Sequence, residues 1–231
     1  DLGDDFFLRH TPPEIVELSR RLLTHAPEHG AFVALSQPQS IGADEGATKI
    51  YILDKDKTKT FAATVVALNQ LGLTVVDAYV NKASAGKYFD MFTVLDGEGA
   101  EVLDPSLRQT IVDRVKATLA QPQPITSGAT MRVPRQLKEL KIPASVSLTP
   151  QGDGHIALVK ITASDRPGLL AAIALVFVDL GLEITSARVT TLGERVEDLF
   201  LVTRRDGTTL QNAQQSYDIE QAIRQSLDRA L

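Results

Sequence analysis

Cysteine is absent from this chain of 231 residues, which excludes a disulfide framework and any thiolate metal site. A surplus of basic residues is absent too: 24 Lys and Arg stand against 29 Asp and Glu, and the net charge at pH 7 is -5. Because nucleic acids are bound by basic faces, we expect no nucleic-acid partner. No apolar run has the length of a signal segment or a membrane span, so we predict a cytoplasmic protein that does not bind membranes.

The residue patterns that enzymes use are also missing. The chain has no Ser in a strained glycine elbow, no His-Glu metal motif and no Gly-rich phosphate loop. We therefore expect no catalytic residue and no metal site. The first residue is Asp1 rather than Met, which we interpret as the start of a portion of a longer protein.

One stretch, Ile161 to Thr185, organises the rest, and it reads ITASDRPGLLAAIALVFVDLGLEIT. It predicts a strand, a turn at residues 165–168, a helix over 169–180 and a second strand from 182. We expect Asp165 to cap the helix with its carboxylate. Gly168 leaves the backbone bare, so that its N–H and that of Leu169 can approach an anion such as an amino-acid carboxylate. The alternative is a good cap and a tight turn without a ligand.

The second half of the chain repeats the first. A shift of 109 positions places residues 71–73 on residues 180–182, and both read LGL. The same alignment, with a one-residue gap in the hairpin, pairs Asp56 with Asp165 and Asp90 with Asp198. The chain therefore holds two copies of one module.

Each copy is predicted as strand, helix, strand, strand, helix, which is a ferredoxin-like α+β module without its closing strand. An extra strand precedes each copy, at residues 31–36 and 145–149, and we expect it to fill the vacant sheet edge through a hairpin connection. The copies can face each other within one chain, or each can pair with its twin in a second chain.

Four segments follow from this division. Residues 1–30 form a linker helix that begins at a capping box of Thr11 and Glu14, and we expect it to pack on a missing upstream domain or on a partner. The first module is 31–120, a linker is 121–143 and the second module is 144–231. The linker ends in basic residues and is either solvated or docked onto an acidic neighbour; these are Arg132, Arg135, Lys138 and Lys141.

These residues resemble a known family. The stretch DRPGLLAAIALVFVDLGLEI with its flanking strands is similar to an ACT domain, the amino-acid-sensing module of many regulated enzymes. The segment GERVEDLFLVT at 193–203 resembles the C-terminal ACT repeat of the bacterial bifunctional uridylyltransferase/uridylyl-removing enzymes. Those enzymes modify the PII signal protein according to glutamine supply. RHTPPEI at 9–15 resembles the segment that joins their HD domain to the ACT pair.

The resemblance covers essentially the whole chain and implies a regulatory role. Its implied partners are glutamine or a related amino acid, the catalytic domains of the parent enzyme, the PII protein, and a second copy through the ACT sheets. It implies no cofactor in this region, whereas the parent enzyme would need Mg or Mn. The catalytic motifs of that family are missing here. The alternatives are a free-standing tandem-ACT regulator that acts by protein contacts, and a dimerisation module without a ligand.

In ACT domains the ligand lies between the turn and the second strand of a facing module, which implies one main site and one weaker site. The main site consists of Asp165, Arg166, Gly168, Leu169, Leu170, Ile184 and Thr185, with Asp165 as the candidate partner for a ligand ammonium group unless capping uses its carboxylate. The weaker site consists of Asp56, Lys59, Thr60, Val75 and Val76, because Lys59 replaces the bare glycine there.

A charged hairpin follows the second strand of the second module. Its members are Glu194, Arg195, Glu197 and Asp198. A run of this kind is usually a solvated face. The alternative is that it carries the ligand signal to other domains.

Overall fold

The structure, a computed structural model, describes residues 10–25, 30–38, 46–54, 57–82, 87–121, 143–166, 168–192 and 195–229. Helix α1, Pro12–Thr24, precedes two modules. The first module consists of β1 Phe32–Leu35, β2 Thr48–Asp54, α2 Lys57–Gln70, β3 Thr74–Lys82, β4 Tyr88–Leu95 and α3 Pro105–Leu119. The second consists of β5 Ser145–Gln151, β6 Ile156–Ser164, α4 Leu169–Asp179, β7 Leu182–Arg188, β8 Thr191–Leu192, β9 Arg195–Arg204 and α5 Ala213–Arg229.

Each module has one antiparallel sheet, in the order β1-β2-β4-β3 or β5-β6-β9-β7, and β8 pairs with β9. The extra strands lie where the sequence placed them. Val146 pairs with Ile161 and Leu148 with Val159, so β5 forms a hairpin with β6, and β1 pairs with β2 in the same way. The prediction of two α+β ferredoxin-like modules whose added strand replaces the closing strand is confirmed.

The two modules share one hydrophobic core. Helices α2 and α4 are in contact, and β3 lies next to β7 without being hydrogen-bonded to it. Phe61 of α2 and Phe200 of β9 form a T-shaped contact with ring centroids 6.4 Å apart, and Phe177 of α4 forms a second T-shaped contact with Phe200 at 5.1 Å. The copies therefore face each other within the chain.

Helix α1 covers the other face of the first sheet, which corrects the expectation that it packs on a missing domain or on a partner. Leu18 is buried there against a cluster that includes Tyr51 and Phe89. The predicted capping box is present, because Glu14 accepts hydrogen bonds from the Thr11 N–H and hydroxyl. The same glutamate forms an ion pair with Lys49 of β2 at 2.7 Å. The correction has a simple cause: β2 and β4 are apolar on both faces, so the sheet needs cover on both sides.

Several expectations fall outside the described residues. They concern Asp56, Pro167, Glu194, the resemblance at Arg9, and the basic residues of the linker. Within the described ranges, no helix combines the length and the apolar character needed to cross a membrane.

Candidate ligand-binding site

A cavity of about 270 Å³ lies between the two modules. The first module lines it with the last turns of α2 and the start of β3, and the second with the turn before α4 and with β9. The volume is near the ~300 Å³ lower end for small-molecule sites, which suits a metabolite of amino-acid size. Its described lining residues include Asn69, Thr74, Val75, Asp165, Arg166, Gly168, Leu169, Leu170 and Asp198.

The turn before α4 differs from its prediction. Gly168 is the N-cap residue, with φ 81, and no side chain caps the helix. Asp165 stands three residues earlier, where its carboxylate accepts a hydrogen bond from the backbone N–H of Arg166. The cap position requires a left-handed residue, and glycine adopts that conformation without a steric cost. The predicted capping role of Asp165 is therefore wrong, and its carboxylate lines the cavity instead.

The mouth of α4 faces the cavity through Gly168, Leu169 and Leu170, as the sequence predicted. The amide of Leu169 is already used, because it donates to the Arg166 carbonyl at 3.2 Å. It is therefore not the anion donor that we expected. The positive end of the helix dipole still points into the cavity and favours a negatively charged group there.

Arg166 holds the turn in place. Its Nη2 donates to the Leu227 carbonyl in the last turns of α5, where a cation also complements the helix dipole. Burial lowers the pKa of the Arg166 guanidinium, and the nearby Asp228 carboxylate opposes that effect. Arg166 therefore connects the cavity wall to the C-terminal helix.

Asp198 lines the cavity, although the sequence pattern predicts that it is part of a charged hairpin. Its side chain is completely buried. The Oδ1 atom accepts a hydrogen bond from the Thr190 N–H at 3.4 Å, while the buried Oδ2 atom has no partner among the described residues. Burial and, secondarily, the charge of Asp165 raise the pKa of Asp198 to about 7.

The other described members of that hairpin lie at or near the surface. Arg195 is exposed and forms an ion pair with Glu197 at 2.7 Å. The sequence did carry a signal for the burial of Asp198, because it lies at a spacing of two from apolar residues and so shares the inward face of β9 with them. Those residues are Val196, Phe200 and Val202, all buried.

The facing strand is β3 rather than β7. Val75, which we assigned to the weaker site, lines the cavity beside the turn of the second module. Ile184 does not line this cavity, and the hydroxyl of Thr185 donates to the Leu201 carbonyl within its own sheet at 3.0 Å. The structure therefore does not bring Ile184 and Thr185 to Asp165, because the turn of the second module meets the second strand of the first module.

The counterpart of the cavity, 109 positions away in each module, is only partly covered by the described residues, because residues 55 and 56 and the side chains of residues 57–59 lie outside them. The described residues there enclose only about 10 Å³. Phe61 stands in place of Leu170, and Val178 stands in place of Asn69. Thr60 is buried, with its hydroxyl donating to Asp54 at 3.3 Å, and Val76 lies at a β-bulge. The weaker site at Asp56, Lys59, Thr60, Val75 and Val76 stays a prediction, since Asp56 and the side chain of Lys59 are outside the described residues.

The described residues do not gather three or more His, Asp or Glu side chains in a group that would hold a metal ion. The cavity instead combines the N-terminus of a helix with two carboxyl groups. A helix mouth suits a carboxylate, and the carboxyl groups of Asp165 and Asp198 suit an ammonium group.

One family model matches the second module. Residues 152–228 match the family model described as "Plant bHLH transcription factor, ACT-like domain". The fold and the cavity at the module interface thus define a pair of ACT-like modules.

The relatives are more specific. The bifunctional uridylyltransferase/uridylyl-removing enzyme of Pseudomonas putida (strain W619) is 35% identical over 227 residues, which is 98% of this chain and 25% of that enzyme. The enzyme of the same name from Acinetobacter baumannii (strain AYE) is 34% identical over 230 residues, 100% of this chain and 26% of that enzyme. The chain is a homologue of the C-terminal region of these enzymes and spans about a quarter of their length.

Among solved structures, the aspartate kinase from Synechocystis superposes with a TM-score of 0.42 at 18% identity, over 79% of this chain and 28% of that one. That similarity is too distant to add to the argument.

Proposed function

We propose that this chain is a regulatory region that binds glutamine in the intermodular cavity and thereby controls the uridylylation and deuridylylation of the PII protein by the catalytic domains of a longer enzyme. The observation that carries the proposal is the cavity itself, which is walled by both modules. A ligand held there contacts two bodies at once, so it favours one relative arrangement of them over others.

The polar groups of the cavity match a neutral amino acid. The positive end of α4 faces the ligand carboxylate, and the acidic side chains face its ammonium group. Asn69 and Thr74, on the first module, offer an amide and a hydroxyl that suit the side-chain carboxamide of glutamine. A ligand of this kind would therefore bridge the two modules.

Regulation would follow from differential affinity. Glutamine alters activity only to the extent that it binds one arrangement of the modules more tightly than another. A coupling free energy of about 1 to 3 kcal/mol would change activity about 5 to 150 fold.

Calorimetric titration of the chain with the twenty amino acids tests the proposal. We expect glutamine to bind most tightly. The Asn69→Val variant, which introduces the residue found at the corresponding position 178, should weaken glutamine binding at least ~10-fold, or by about 1.4 kcal/mol. Asp179→Asn, at an exposed position at the end of α4, is the matched control and should bind normally.

A chain that binds none of the twenty would contradict the proposal and favour a module without a ligand. In the full-length enzyme, the same Asn69 variant should lose the response to glutamine while it keeps both catalytic activities. A full response to glutamine in that variant would separate regulation from this cavity.

A further inference from the structure

We propose that Asp198, together with Asp165, forms the subsite that receives the primary ammonium group of the ligand. The inference rests on the proposed function, since it assigns one end of the same ligand. It adds a residue, Asp198, that the sequence pattern had assigned to a solvated hairpin.

The first support is an unsatisfied acceptor. Asp198 is completely buried, and its Oδ2 atom has no hydrogen-bond partner among the described residues. Buried polar atoms in native proteins almost always have partners, and an orphan of this kind calls for an explanation. Because Asp198 lines the cavity, a donor on a bound ligand supplies the missing partner.

The second support is the charge balance around the cavity. The charged side chains among its described lining residues are Asp165, Arg166 and Asp198. Arg166 donates its Nη2 to the Leu227 carbonyl and lies near Asp228, whereas its buried Nη1 has no hydrogen-bond partner among the described residues. When both are ionised, the two aspartates outnumber this one guanidinium, and the acidic excess favours a cation next to Asp165 and Asp198.

Besides Asp165 and Arg166, the described residues that line the cavity around Asp198 are uncharged. On β6 it is paired with Ile161, and the hydrogen bond to its Oδ1 comes from the backbone of Thr190. The described residues that the first module contributes to the cavity are uncharged, and they include Asn69 and Thr74. An ammonium group, with three donors, can bond to both carboxylates at once.

A proton should leave when the ligand binds. In the free protein, burial holds the pKa of Asp198 at about 7, so much of this carboxyl is protonated at pH 6. The ammonium group favours the ionised form, and the displaced proton passes to the buffer. Affinity should therefore rise about 10-fold from pH 6 to pH 8, and then level off.

The experiment compares glutamine with 4-carbamoylbutanoate, the same molecule without its α-amino group. Calorimetry of the whole chain at pH 6.5, in two buffers of different ionisation enthalpy, gives both the affinity and the number of protons released. We expect glutamine to bind at least ~100-fold more tightly than the analogue, with a fraction of a proton released per ligand. A 100-fold preference corresponds to a difference in binding free energy of about 2.8 kcal/mol, since each factor of ten is about 1.4 kcal/mol.

Three variants assign the effect. Asp198→Asn should abolish the proton release and reduce the preference for glutamine over the analogue at least tenfold. Asp165→Asn should reduce that preference with the fold undisturbed, because its side chain is only half-buried. Asp90→Asn changes the corresponding buried aspartate of the first module, which does not line the cavity, and should keep the preference.

The outcomes separate the two proposals. If the native chain binds no amino acid, the proposed function fails. If the native chain binds glutamine but the analogue binds equally well, or if Asp198→Asn retains both the preference and the proton release, only the ammonium subsite is overturned. Should Asp198→Asn not fold, the analogue and Asp165→Asn decide the matter.

Discussion

At the scale of single residues, Asp198 makes stability depend on pH. Its pKa is 3.8 in the reference state and about 7 in the folded chain, so the native state holds this proton more tightly than the unfolded state does. A raised carboxyl pKa gives stability that is complete below about pH 4 and is lost as pH rises to about 7.

The Asp198→Asn variant should remove this dependence. We expect the unfolding free energy of the native chain to fall relative to that of the variant between pH 4 and 7. The fall should be at most about 4 kcal/mol, since one pKa unit corresponds to about 1.36 kcal/mol. Above pH 7 the difference should stay constant. Urea unfolding of both proteins at half-unit pH steps measures it. Parallel curves from pH 4 to 8 would contradict the assignment of the raised pKa.

A change at Gly168 should affect both the stability of the fold and the affinity for the ligand. Its φ of 81 is left-handed, and an added Cβ would lie 3.5 Å from the amide of Asn69. Gly168→Ala should cost about 1 to 2 kcal/mol of stability from backbone strain, and it should also weaken the ligand by shifting the helix mouth.

The control for that change is Gly207→Ala, which has φ 73 and no atom near the added Cβ. It should cost a similar amount of stability and leave binding unchanged, as measured by thermal unfolding and calorimetry. Equal binding by both variants would show that the backbone at Gly168 is not part of the site.

At the scale of elements, α1 belongs to the first module. Leu18 is 3% exposed under the sheet, whereas Leu23 on the same helix is 87% exposed. Leu18→Ala should destabilise the chain by about 2 to 5 kcal/mol, because it removes buried side-chain volume.

The matched change Leu23→Ala should alter stability by no more than about 0.5 kcal/mol. Chemical unfolding of the two variants compares them directly. Similar stabilities would mean that α1 does not rest on the sheet in solution.

At the scale of the whole molecule, the common core should make the two modules unfold together. Phe61, Phe177 and Phe200 join α2, α4 and β9 across the module boundary. We expect a single calorimetric transition with equal calorimetric and van 't Hoff enthalpies. Two resolved transitions in the native chain would refute a shared core.

Phe61→Ala removes the first-module side of that contact. It should lower stability by about 3 to 5 kcal/mol and weaken the coupling between the modules. We expect scanning calorimetry of this variant to show a broadened or split unfolding transition.

The sequence by itself determined the modules. Period-two strands, the helix after DRPG and the repeat at 109 positions are local patterns, and the added strands followed because a hairpin is the simplest connection to an open edge. The turn at Asp165 and Gly168 was found in the same way, since glycine at a helix start signals a special backbone conformation.

Only the tertiary structure decided which parts meet. Local spacing does not encode which module faces which, and so Val75 and Asn69 reached the cavity whereas Ile184 and Thr185 did not. The covering of the first sheet by α1 and the position of Phe61 opposite Leu182 and Ile184 are also outcomes of packing. The burial of Asp198 depends on both the sequence and the tertiary structure. The alternating pattern of β9 places the side chain on the inward face, but only the packing of the fold removes it from water and raises its pKa.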